Sequence, residues 1–140
     1  MRKFLVVAAL IFAISLLMAG GSVSAHHAFA SEYDAQKPST VKGKIVKMQW
    51  INPHAWLYVD VPEADGKVYT WAIEFGGGTS LQKRGWRRDD LPVGAEVTVE
   101  GYLHKNGTRT NHADRVTLAS GRQLFAGSSA PGAPPSSEGR

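Results

Sequence analysis

Five histidines are the residues of this chain best suited to chemistry, and two of them are adjacent, His26-His27. His54 closes the run Trp50-Ile51-Asn52-Pro53-His54, while His104 and His112 stand on either side of the turn-forming Lys105-Asn106-Gly107. No cysteine is present, which excludes zinc–thiolate, haem c and iron–sulfur chemistry and leaves nitrogen and oxygen as the donors of any metal site. There is no Gly-x-Ser-x-Gly elbow and no His-Glu-x-x-His helix, and Gly76-Gly77-Gly78 has no Gly-Lys-Ser/Thr after it. Hydrolase triads, zinc proteases and phosphate loops therefore drop out, and no enzyme is expected.

The weight carried by His26 depends on what precedes it. Arg2 and Lys3 are followed by the apolar run Phe4 to Ile14 and then by Val23-Ser24-Ala25, the pattern of an export signal cut after Ala25. Such a cut leaves 115 of the 140 residues, enough for one small domain, and makes residue 26 the N-terminus. A terminal histidine offers an α-amine and a ring nitrogen to one ion in a chelate ring, a donor set that favours Cu(II) over nickel and zinc. His27 lies beside it, and His54 is the first choice for a further ring nitrogen, because Asn52-Pro53 turns the chain and lifts His54 to a loop or strand end. Glu32 and Asp34 are possible oxygen donors, and His104 and His112 can approach each other across a hairpin. The competing reading makes His26-His27 a plain solvated terminus, His54 a loop fastener, and His104 and His112 surface residues.

Charge adds little. The chain is formally +4 with a pI near 9.5, but loss of Arg2 and Lys3 leaves 14 basic against 12 acidic residues. A nucleic-acid partner is not expected, nor a stable membrane anchor after processing; a retained anchor is the alternative.

The elements that must position these residues have a period of two. Thr40 to Trp50 alternates with a bulge near Gly43 to Val46; Ala55 to Val61 and Val68 to Phe75 alternate cleanly around the hairpin turn Asp65-Gly66. Thr79 to Gly85 reads as a short helix, and Trp86 as a plug folding back onto the core. Glu96 to Leu103, Asp114 to Ala119 and Arg122 to Phe125 complete the strands. The expected fold is all-β: a small OB-like antiparallel barrel of five to six strands with one short helix between strands 3 and 4, a meander or sandwich being the alternative. The expected organisation is a signal peptide at 1–25, an N-terminal arm at 26–38, the β domain at 39–125 and a disordered Gly/Ser/Pro tail at 126–140.

Four tryptophans are many for such a domain. Trp71 shares its face with Ile73 and Phe75 and belongs to the core. Trp56 shares its face with Tyr58 and Asp60, so Trp56 and Tyr58 are the candidates for a stacking surface. The basic stretch Lys83 to Arg88 is diluted by Asp89-Asp90 and reads as a solvated loop.

The arm His26 to Asp34, Gly43-Lys44-Ile45-Val46 leading to Trp50-Ile51-Asn52-Pro53-His54, Trp71-Ala72-Ile73-Glu74, Leu81 with Arg84-Gly85-Trp86, and Gly94 to Gly101 resemble the domain-of-unknown-function 6152 family (DUF6152) of exported bacterial proteins. The resemblance implies a periplasmic location and a small β-rich fold, and no activity. It extends to His26, His27, Asn52, Pro53 and His54 but not to His104 or His112, which therefore rank lower. In its terminal histidine alone, the chain is also similar to periplasmic copper carriers of the CopC-like type; the rest of it does not follow their immunoglobulin-like pattern. The leading expectation is a non-catalytic periplasmic binding protein taking Cu(II) at His26, His27 and His54, with a periplasmic protein as a further possible partner. The alternative is an OB-like module binding an oligosaccharide, peptide or partner protein through Trp56 and Tyr58. An oxidase built on a copper brace comes third.

Overall fold

Alternation of apolar and polar residues draws the chain into six strands and one helix. The computed structural model describes Phe29 and residues 31–126, so the signal segment, His26, His27 and residues 127–140 lie outside the described part. In chain order the elements are β1 (Tyr33–Gln49), β2 (Trp56–Pro62), β3 (Val68–Glu74), α1 (Gly78–Lys83), β4 (Glu96–His104), β5 (Thr110–Leu118) and β6 (Gln123–Phe125).

All six strands lie in one sheet of order β3-β2-β1-β4-β5-β6. Neighbours in that order run antiparallel, and a parallel pairing of β3 with β5, from Ala72 opposite Thr110 to Glu74 opposite His112, closes the first five strands into a ring. The all-β expectation with a helix between strands 3 and 4 holds. Inside the ring, Ile45, Leu57, Val59, Ile73, Val99 and Val116 are buried, with Phe75, Leu81 and Trp86 packed against them. Trp86 is the plug the sequence suggests: its ring lies 5.5 Å from that of Phe75 and its Nε1–H donates to the Phe125 carbonyl at 2.8 Å.

Several boundaries differ from the sequence reading, each for a tertiary reason. β1 starts at Tyr33 rather than Thr40, so the second half of the proposed arm is strand. The pairing of β1 with β4 skips between Tyr33 and Pro38, and the skipped residues 35–37 are exposed, which erases any period. β5 starts at Thr110 because both β3 and β4 offer it partners there. Ala126, assigned by composition to the tail, is buried; its N–H donates to the Asp114 carbonyl at 2.8 Å, and its own carbonyl accepts from Gly76 N–H at 3.0 Å.

The bulge in β1 falls between Ile45 and Lys47 and turns Val46 out to solvent. Gly66 takes the left-handed conformation at φ 78° that its hairpin turn demands. Trp71 is on the core side but only partly buried, because it stands near the ring's end and spends its Nε1–H on Glu63 at 3.1 Å. The same Glu63 accepts two hydrogen bonds from Arg109, at 2.7 and 3.0 Å, and the guanidinium lies 3.6 Å from the centre of the Tyr69 ring. This clasp ties the β2–β3 hairpin to the start of β5. It also holds the Glu63 carboxyl below its usual range and raises Arg109.

A carboxylate buried between two histidines and a tyrosine

Glu74 is the last residue of β3, and alternation places it on the outer face of the ring with Thr70 and Ala72. Its neighbours in register are Trp56 on β2 and His112 on β5. An outward glutamate is ordinarily solvated, yet only 4 % of Glu74 is exposed. What covers it is polar and aromatic. The Tyr33 hydroxyl donates to Oε2, His54 Nδ1 pairs with Oε1, and His112 Nδ1 lies 3.6 Å from Oε2. The Tyr33 ring packs edge-on against His104 and tilted against His112, each at 5.1 Å between centres.

The electrostatics follow from this cover. Burial pushes the Glu74 carboxyl up, but donation by His112 and Tyr33 and the nearby charges of His54 and His112 outweigh it, so its pKa lies below the ordinary carboxylate value. Burial and the same carboxylate drive the Tyr33 hydroxyl well above its usual range, so it stays a neutral donor.

His54 reaches Glu74 from a loop fixed at three points. Gly78 N–H donates to the Ile51 carbonyl at 3.0 Å, Asn52 Nδ2 donates to Thr79 Oγ1 at 3.1 Å, and Ala55 exchanges backbone hydrogen bonds with Gly76 and Phe75. The loop lies so close to the glycine run that a Cβ on Gly77 would fall 2.5 Å from the Pro53 carbonyl oxygen and 2.7 Å from Asn52 Oδ1. The run is thus a corner, as expected, and its glycine serves close approach. The His54 side chain is 48 % exposed, against 6 % for His112.

The structure therefore brings His54, His104 and His112 to one end of the ring. The sequence ranked the last two lowest. Glu74 and Tyr33 were missed as site residues. The available signals were an acidic residue ending the apolar run Trp71-Ala72-Ile73 and a lone tyrosine in the arm. Trp56 stands opposite Glu74 and is half-buried; Tyr58, further along the same face, gives its hydroxyl to Gln49 at 3.1 Å and lies 5.6 Å beneath the Lys47 ammonium. Asp34 is taken up locally, accepting from Gln36 N–H at 3.0 Å with Lys37 at 3.6 Å. A groove of about 620 Å³, lined by Lys42, Lys44, Asp60, Pro62, Val68 and Glu96, lies toward the opposite ends of β2 and β3.

Among the described residues, no group of three histidine, aspartate or glutamate side chains is arranged to hold a metal ion. What the cluster offers a cation is the exposed edge of one imidazole, so further donors would come from elsewhere.

The model of a family of unknown function, DUF6152, matches residues 13–113. No curated protein matches the chain, and no solved structure does.

Proposed function

The chain belongs to the DUF6152 family, which carries no functional description, and from its own residues we propose that it is an exported, non-catalytic protein that binds Cu(II). The ligands are the amine and ring of His26, made terminal by cleavage after Ala25, with His54 Nε2 from the folded domain and His27 beside them. The observation that carries this reading is the pairing of half-exposed His54 with buried Glu74. A metal-ligating histidine commonly gives its other ring nitrogen to a carboxylate, which fixes the ring and strengthens the outward nitrogen as a donor. Along the chain, seven peptide units separate His26 from Tyr33, at most about 25 Å of backbone.

Calorimetric titration of Cu(II) into protein beginning at His26 tests the reading. Both His26→Ala and a single residue added ahead of His26 should weaken binding at least tenfold to a hundredfold, the cost of losing even supporting contacts of a metal site. His54→Ala should weaken Cu(II) binding by the whole protein toward that of a peptide of residues 26–38, which lacks position 54. Binding should fall as pH drops from 7 toward 5, because protons compete for the amine and the imidazoles. Equal affinity with the added residue in place rules out the terminal chelate.

Trp56 supports a second reading, because it stands half-buried opposite Glu74 on the outer face. There it would stack against a sugar ring or an aromatic side chain of a partner, with Tyr58 alongside. Quenching of tryptophan fluorescence by oligosaccharides, lost in Trp56→Ala, is its test.

A further inference from the structure

We infer that Glu74 is the positioning residue that presents His54 as a ligand, and that the backbone of Asn106 holds His104 in the opposite tautomer, unfit for that role. This deepens the copper reading and rests on it for its functional meaning. A neutral imidazole carries one proton, and the nitrogen without it is the one that binds metal. His54 Nδ1 faces a carboxylate, which accepts only, so the proton sits on Nδ1 and the lone pair on Nε2 of a half-exposed ring. At His104 the relation is reversed. Its Nδ1 accepts the Asn106 N–H at 3.2 Å, so the proton of neutral His104 is on Nε2.

Glu74 performs this task under constraint. Oε2 is held by the Tyr33 hydroxyl, with His112 Nδ1 3.6 Å away, which leaves Oε1 turned to His54. The carboxylate cannot rotate away without giving up these partners in a site closed to water. Tyr33 thus supports the orientation of His54 at one remove. His54 and His104 differ in what their Nδ1 atoms face.

The test separates the positioning from the copper reading. In metal-free protein with 15N-labelled histidine, two-bond proton–nitrogen correlation at a pH where the rings are neutral reports each tautomer directly. His54 should appear as the Nδ1–H form and His104 as the Nε2–H form, and Glu74→Met, which removes the acceptor that an amide would keep, should move His54 toward the Nε2–H form that dominates in free histidine while His104 keeps its pattern. Titration with Cu(II) should then show affinity reduced tenfold to a hundredfold in Glu74→Met, with a changed nitrogen coupling in the electron paramagnetic resonance spectrum, and unchanged in His104→Ala. Tyr33→Phe should retain the His54 tautomer with a smaller loss of affinity. An Nε2–H tautomer at His54 in the native protein, or a Glu74→Met protein whose His54 signals match the native ones, overturns the inference. If the native protein shows the expected tautomers but takes up no Cu(II), the positioning stands and the copper reading fails.

Discussion

Glutamine at position 74 keeps the shape of the buried carboxyl and removes its charge, so it isolates what that charge does for the fold. The net direction of the Glu74 pKa decides the sign. Its value is lowered from 4.5, meaning that the surrounding donors favour the ionised form by more than burial opposes it. A neutral replacement therefore loses stability. Hydrogen bonds to a charged acceptor contribute about 1.5–3 kcal/mol each, and the amide can still accept one while its NH2 confronts another donor. A net loss of about 1.5–3 kcal/mol at pH 7 follows, which in a domain of this size lowers Tm by on the order of 10 °C. A group with a depressed pKa contributes stability that is fully present above its unfolded value and is lost as pH falls through the folded one. Urea denaturation of native and Glu74→Gln protein should thus show separated midpoints at pH 7 and 6 that converge only as pH falls below 4.5 and through the lower value at which the native carboxyl takes up its proton. A Glu74→Gln protein as stable as the native one at pH 7 would refute the reasoning, because burial would then outweigh the donors.

Gly77→Ala should destabilise by about 1–3 kcal/mol in thermal melts and shift the His54 resonances, since its Cβ would meet the Pro53 carbonyl at 2.5 Å and push the loop away from α1. Phe75→Ala, which empties the space against Trp86, should cost about 3–5 kcal/mol and raise the exposure of the indole to acrylamide quenching. Tyr33, whose pKa is raised, contributes stability that is complete below the ordinary value of 10.0 and lost as pH climbs beyond it. In alkaline difference spectroscopy, Tyr33→Phe should remove a component that ionises later than free tyrosine and coincides with unfolding.

The strands were legible because each carries its own period: Leu57 and Val59, Ile73 and Phe75, Val97 and Val99 turn inward as alternation requires. Alternation also put Glu74 on the polar face, correctly, and for that reason the sequence could not reveal its burial. Burial comes from Tyr33, forty-one residues away, and from His112 on a strand that pairs with β3 in parallel. Neither contact leaves a local trace. His104 and His112 were rightly placed across one hairpin, but nothing in the sequence shows that Tyr33 packs against both rings. His54 was found because Asn52-Pro53 marks a turn, whereas the docking of that turn on the glycine corner needed the structure.

The parallel pairing of β3 with β5 also reduces the strand edge that the molecule presents to another copy. A sheet that ends in unpaired backbone invites another copy to add a strand, and long flat ends are where fibrils begin. Here Ala72 to Glu74 of β3 are paired on that side, with Ala72 N–H given to the Arg109 carbonyl at 3.0 Å, and Arg109 reaches across to Glu63. Among the described residues, the six-stranded order otherwise ends at β6, three residues long. So short a terminus supports little templating, and the pairing of Ala72 to Glu74 with β5 leaves less of β3 open to a strand of another copy.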